Sequence, residues 1–120
     1  MTQNRVDFIS DLNQFENWLI SYSALSPKVA KDTKSRVNRI HKSICSELEQ
    51  EIASKEGYLK LLAKIQVYSE QNTTTKAACY SLTGSLRSAL KKFTIYKHPE
   101  LSENLPTAHG NLVKAIAKTI

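Results

Sequence analysis

Glycine, proline and cysteine are all scarce in this chain: three, three and two among 120 residues. An all-β fold needs many punctuated strand ends, so this scarcity argues against one. It also removes glycine-rich phosphate loops, which need glycines at fixed offsets. Cys45 and Cys79 are too few and too far apart for a disulfide scaffold or a zinc site. Both read as reduced, small, buried hydrophobes. Long apolar runs are missing too. No stretch approaches the roughly 18 apolar residues of a membrane span, and the N-terminal MTQNRVDF lacks the apolar core of a signal peptide. The expectation is a cytoplasmic protein.

What is present is ordinary globular composition, 41% hydrophobic and 23% charged, which excludes wholesale disorder. The length suits one domain, residues 1–120. Hydrophobic residues recur at steps of three and four, the period of a helix with one buried face. Phe8, Leu12, Phe15, Leu19 and Tyr22 form such a stripe over 7–22, with Ile9 and Trp18 off it. Those two either widen the buried face or form a contact surface.

Ser26-Pro27 is a helix start, serine as cap and proline where a missing N–H costs nothing. The helix it opens is expected to reach about Leu48, burying Thr33, Val37, Ile40, Ile44 and Leu48. Ser54 is a candidate cap for a helix over 55–69 that buries Tyr58, Leu61, Leu62, Ile65 and Tyr68. A threonine of Thr73-Thr74-Thr75 caps the next helix, 76–96, with Ala78, Leu82, Leu86, Ala89, Leu90 and Phe93 on its apolar side. Gly84 inside it marks a close helix crossing or a break. Pro99 ends that helix by disfavouring helical geometry at His98. A last helix over 107–120 carries Leu112, Val113, Ile116 and Ile120, a stripe able to cap the bundle or serve a protein partner or homodimer. With no alternating strand pattern, the fold class is all-α, a compact bundle of four to five helices.

The net charge of +6 is unevenly spread. Residues 27–44 and 72–98 carry +5 each, while 1–26 carry −2 and 45–57 carry −3. Within 27–44, Lys28, Lys31, Arg39 and Lys42 fall nearly opposite the apolar stripe, with Ser35 between them. Two basic helices in one bundle predict a polyanionic partner whose binding is salt-dependent. The candidate contacts are Lys28, Lys31, Ser35, Arg36, Asn38, Arg39 and Lys42, joined by Lys76, Arg87, Lys91 and Lys92. Arg36 or Asn38 is the candidate to reach base edges, and Asn72 and Thr73–Thr75 are candidates for neutral phosphate contacts. A solvated face, with lysines favouring a helix C-terminus, is the plainer account of the same charges.

Three stretches have a familiar pattern: Phe15-Glu16-Asn17-Trp18-Leu19, Leu25-Ser26-Pro27-Lys28-Val29-Ala30-Lys31, and Ser35-Arg36-Val37-Asn38-Arg39-Ile40. They resemble the opening of the core-binding domain of tyrosine recombinases (phage integrases), which is SAM-like in fold. Ser81 to Phe93, with Ser88-Ala89-Leu90-Lys91 inside it, resembles that domain's last helix. The resemblance covers residues 8–96. It implies a phage or mobile-element setting and a four-helix module that clamps one side of duplex DNA through residues 27–44 and 76–97. The extra helix over 107–120 departs from the pattern, and the family's catalytic half has no counterpart. None of His41, His98 and His109 begins a His-x-x-Arg motif. Recombination or nicking by this chain alone is not expected.

No other chemistry emerges. Glu47, Glu49 and Glu51 alternate on a helix and point in different directions, so they read as a solvated acidic turn. His41 reads as a surface histidine, and Tyr80 and Tyr96 lack the partners of a catalytic tyrosine. The expectation is a non-enzyme without cofactor or metal, which binds duplex DNA. The competing expectation is a small protein–protein interaction factor, for example an inhibitor of a host nucleic-acid-binding defence complex. It would use Ile9, Trp18 and the last helix.

Overall fold

The computed structural model describes residues 5–104. In order, these form α1 (Arg5–Tyr22), α2 (Pro27–Ser43), the single turn α3 (Leu48–Glu51), α4 (Lys55–Gln71) and α5 (Lys76–Lys97), followed by a 3-10 turn over Pro99–Asn104. The described residues are all helical in architecture and contain no strand. No helix among them is long and apolar enough to cross a membrane. The predicted helix over 107–120, with Leu112, Val113, Ile116 and Ile120, lies outside the described residues.

The helix starts follow side-chain chemistry. Ser26 Oγ accepts from the Val29 N–H at 3.2 Å, Ser54 Oγ from Gly57 at 3.1 Å and Thr75 Oγ1 from Ala78 at 3.1 Å. Each cap satisfies an N–H that the helix leaves without a partner. At the far end of α5 the backbone leaves helical geometry at His98, the residue before Pro99, as expected. Gly84 does not break α5, which runs continuously through it.

The ends of α1 and α2 differ from expectation. α2 stops at Ser43 rather than near Leu48, because the Ile44 and Cys45 N–H groups both turn back onto the Ile40 carbonyl. That turn lets Leu48 enter the core from α3 and leaves Ile44 half-buried at the edge. Tyr22, expected on the buried stripe of α1, is 80% exposed. The chain reverses just beyond it through Ala24, in the left-handed region at φ 55°, and the Leu25 N–H returns to the Leu19 carbonyl. Leu25 then packs against the core in place of Tyr22. At the other corner, Gly57 sits so close to the Glu51 backbone carbonyl that any Cβ there would collide with it. Glycine is what lets α3 fold tightly onto α4.

The core is built from one face of each long helix. Phe8, Leu12, Phe15 and Leu19 of α1 meet Val37 and Ile40 of α2, Leu61, Leu62 and Ile65 of α4, and Leu86, Leu90 and Phe93 of α5. Phe15 meets the Phe93 ring edge-on at 5.2 Å between centroids, a favoured aromatic arrangement. Trp18 extends this cluster, lying 5.4 Å from Tyr96 and stacked beside Phe15. It widens the buried face, while Ile9 remains 47% exposed. With α1 and α5 both packed against it, α2 turns one arc outward.

Candidate nucleic-acid interface

On α2 the capped start and the apolar set Ala30, Thr33, Val37 and Ile40 fix which arc faces solvent. Lys28, Lys31, Ser35, Arg39 and Lys42 are exposed on that arc, and Arg36 and Asn38 are half-buried at its borders. Lys28 is partly neutralised by Asp32, one turn on, at 3.2 Å. Lys34 leaves the arc altogether: its ammonium is held by Glu16 of α1 at 2.7 Å. Ser35 and Asn38 also border a shallow groove of about 160 Å³ between α1 and α2, with Ile9 on its other wall.

Arg39 is held in place from another helix. Its Nε donates to the Tyr68 hydroxyl at 2.8 Å and its guanidinium lies 5.3 Å from that ring's centre. The bond and the cation–π contact orient the fork and limit the entropy lost when a ligand binds. Tyr68 was expected only as an apolar α4 residue. It is half-buried, with its hydroxyl turned to Arg39. Nothing in the sequence pairs residues 29 positions apart.

On α5 the five bases separate. Lys91 and Lys92 sit where α5 crosses α2, both half-buried. The Lys92 ammonium donates to Ser88 Oγ at 2.9 Å. Burial pulls the Lys92 pKa below the ordinary lysine value, and repulsion from Arg36 and then Lys91 adds to that. The crossing therefore gathers cations from two helices within Coulombic reach. Lys76 lies at the opposite end of α5, about 22 Å from Lys91 along the axis. There it lines a separate cavity of about 530 Å³ with Thr74, Cys79, Tyr80 and Thr83. Cys79 is thus half-exposed rather than buried, whereas Cys45 is buried and its thiol is pushed up by burial.

Arg87 does not belong to any surface. The guanidinium is fully buried, and its Nε and Nη2 donate to the Leu62 carbonyl at 3.3 and 3.0 Å. Nη2 also reaches Gln66 Oε1 at 3.4 Å. Burial lowers its pKa, opposed by Tyr58 and Cys79, but a guanidinium stays charged regardless. The reason is angular: Arg87 falls between Thr83, Leu90 and Thr94 on the buried side of α5, against α4. It belongs to the fold, and the assignment of Arg87 to a contact surface is corrected. The last base, Lys97, is held by Asp11 and Glu49.

His41 is half-buried rather than free on the surface. Its ring stacks on Phe8 at 3.9 Å, and its pKa is lowered by burial first and then by Lys42, with Glu47 opposing. No group of three His, Cys, Asp or Glu side chains placed to hold a metal ion occurs among the described residues.

Compared with known proteins, the chain matches no family model, no curated protein and no solved structure.

Proposed function

We propose that the protein is a non-catalytic nucleic-acid-binding module in which the outer face of α2, continued by Lys91 and Lys92 of α5, neutralises backbone phosphates. The observation that carries this is the crossing of α2 and α5. Among the described residues, none of Lys31, Arg36, Arg39, Lys42, Lys91 and Lys92 sits in an ion pair. Arg36 and Lys91 both repel the Lys92 ammonium. A phosphate entering there relieves that repulsion and gains charge-assisted hydrogen bonds. The likeness of residues 8–96 to a recombinase core-binding module makes duplex DNA the preferred polyanion. Lys28, Ser35 and Asn38 then serve as further backbone or groove contacts.

The test is retardation of duplex DNA across a salt series. Binding is expected at low salt and to weaken linearly on a log–log plot, by about 0.9 in slope for each phosphate contacted. Lys31→Glu combined with Lys92→Glu should abolish the shift while leaving the helical circular dichroism unchanged. No shift at low salt, or one that survives both reversals, overturns the proposal.

A further inference from the structure

We propose that Asp11, Glu49 and Lys97 form a proton-linked clamp, in which one proton shared by the two carboxyls tightens the junction of α1, α3 and α5 as the medium turns mildly acidic. The three groups come from three elements far apart in sequence. Lys97 Nζ lies 2.6 Å from Asp11 Oδ2 and 3.2 Å from Glu49 Oε1. All three side chains are only a quarter to a third exposed. Asp11 and Glu49 also lie within hydrogen-bonding reach of each other. Two carboxylates cannot hydrogen-bond without a proton, since both are acceptors only.

With both carboxyls ionised, the cluster holds two negative charges against one ammonium. Glu49 Oε1 is buried 3.2 Å from Nζ but makes no hydrogen bond. One added proton converts this into a neutral hydrogen-bonded carboxyl, a carboxylate and an ammonium, in which the charges balance. Burial and then the bond to Asp11 push the Glu49 pKa up, with Lys97 opposing only in part. Burial pushes Asp11 up as well, yet the bonds from Glu49 and Lys97 outweigh it and hold its pKa below the ordinary value. Burial likewise opposes the Lys97 charge, but the two carboxyls raise its pKa.

The signs follow. A raised Glu49 contributes stability in acid that is lost as pH rises through its folded pKa. A lowered Asp11 contributes stability above its unfolded pKa, lost only as pH falls through its folded one. The clamp is tightest between those limits, in mild acid, and looser at neutral pH. Lys97 holds its charge through the whole window. The Tyr96 phenol, pushed up by burial and Asp11, stays neutral through it. His98 faces Glu100 at 3.3 Å at the edge of the junction. His41, against the neighbouring Phe8, has Lys42 and Glu47 as its charged neighbours and stands outside the cluster.

Urea unfolding of the wild-type chain and of Glu49→Gln, from about pH 7 to about pH 4.5, tests the clamp. The amide keeps the shape and donates permanently to Asp11, so histidine titration and that of other groups outside the cluster cancel in the difference. Each unit by which the folded Glu49 pKa exceeds the unfolded one is up to about tenfold in the folding equilibrium constant. The wild type should therefore gain several-fold on Glu49→Gln as pH falls, and at pH 7 the variant should be at least as stable. Parallel profiles, or a wild type that loses ground in acid, overturn the clamp. If Glu49→Gln fails to fold, the carboxyl carbon shift of wild-type Glu49 decides. Titration above the ordinary glutamate value supports the clamp, and titration at or below it refutes it.

Discussion

Residues 27–44 and 72–98 carry the same formal charge, yet the helices they form use it in opposite ways. α2 lies on the outside of the bundle with Lys31, Arg39 and Lys42 on its exposed arc. α5 packs against α1, α2 and α4. Its bases are divided among the core (Arg87), the clamp (Lys97), a distant cavity (Lys76) and the crossing with α2 (Lys91 and Lys92). Equal charge in sequence is therefore unequal charge at the surface. What decides is the angle each base makes with the buried stripe and what the facing helix offers there.

Arg87→Ala is the most severe way to probe this difference. It removes the side-chain donors from the Leu62 carbonyl and opens a void beside α4, and is expected to cost about 4 kcal/mol in urea unfolding. A cost under about 1 kcal/mol would mean that Arg87 behaves as a surface base after all. Lys97→Met should come next, at about 2 kcal/mol near neutral pH, because it leaves two facing carboxylates without their cation. That cost should shrink as the pH falls and the pair takes up its proton. A pH-independent cost would show that packing of the lysine stem, not its charge, holds α5 to α1.

The two helices should behave alike at their starts. Ser26→Ala and Thr75→Ala each remove a side-chain cap of the same geometry and should each cost about 1 kcal/mol by thermal melting. Unequal costs would place the difference between the helices in their ends rather than their faces. Lys31→Glu sits at the bottom of the scale: as an exposed base it should move stability by less than about 0.5 kcal/mol while weakening DNA retardation sharply. Loss of both together would undo the separation between the structural bases of α5, Arg87 and Lys97, and the solvent-facing bases of α2.

Much of the architecture is legible in the sequence alone. The three caps at Ser26, Ser54 and Thr75 depend on a hydroxyl just ahead of an apolar-periodic run, which is a local signal. The stripe Phe8, Leu12, Phe15 and Leu19 was legible for the same reason. The outward arc of α2 follows from the 3.6-residue period once its apolar side is known. Illegible were Tyr22 and the end of α2, because a helix stops where the core stops needing it, and nothing near Ser43 marks that point. The exposure of Lys28, Lys31, Arg39 and Lys42 on α2 was legible, and that of Arg87 on α5 was misread. A basic residue among apolar ones reads as surface unless the carbonyl that receives it, here that of Leu62, is known.

The sequence by itself determined an all-helical chain, where its long helices start and which side of α2 is charged, because caps, proline geometry and periodicity act within a few residues. The tertiary structure alone decided which charges are available. Arg87 meets Leu62, Arg39 meets Tyr68, Lys34 meets Glu16, and Lys97 meets Asp11 and Glu49 only when distant helices pack. Whether a charge is free or bound is a property of what faces it, and in a bundle what faces it comes from elsewhere in the chain.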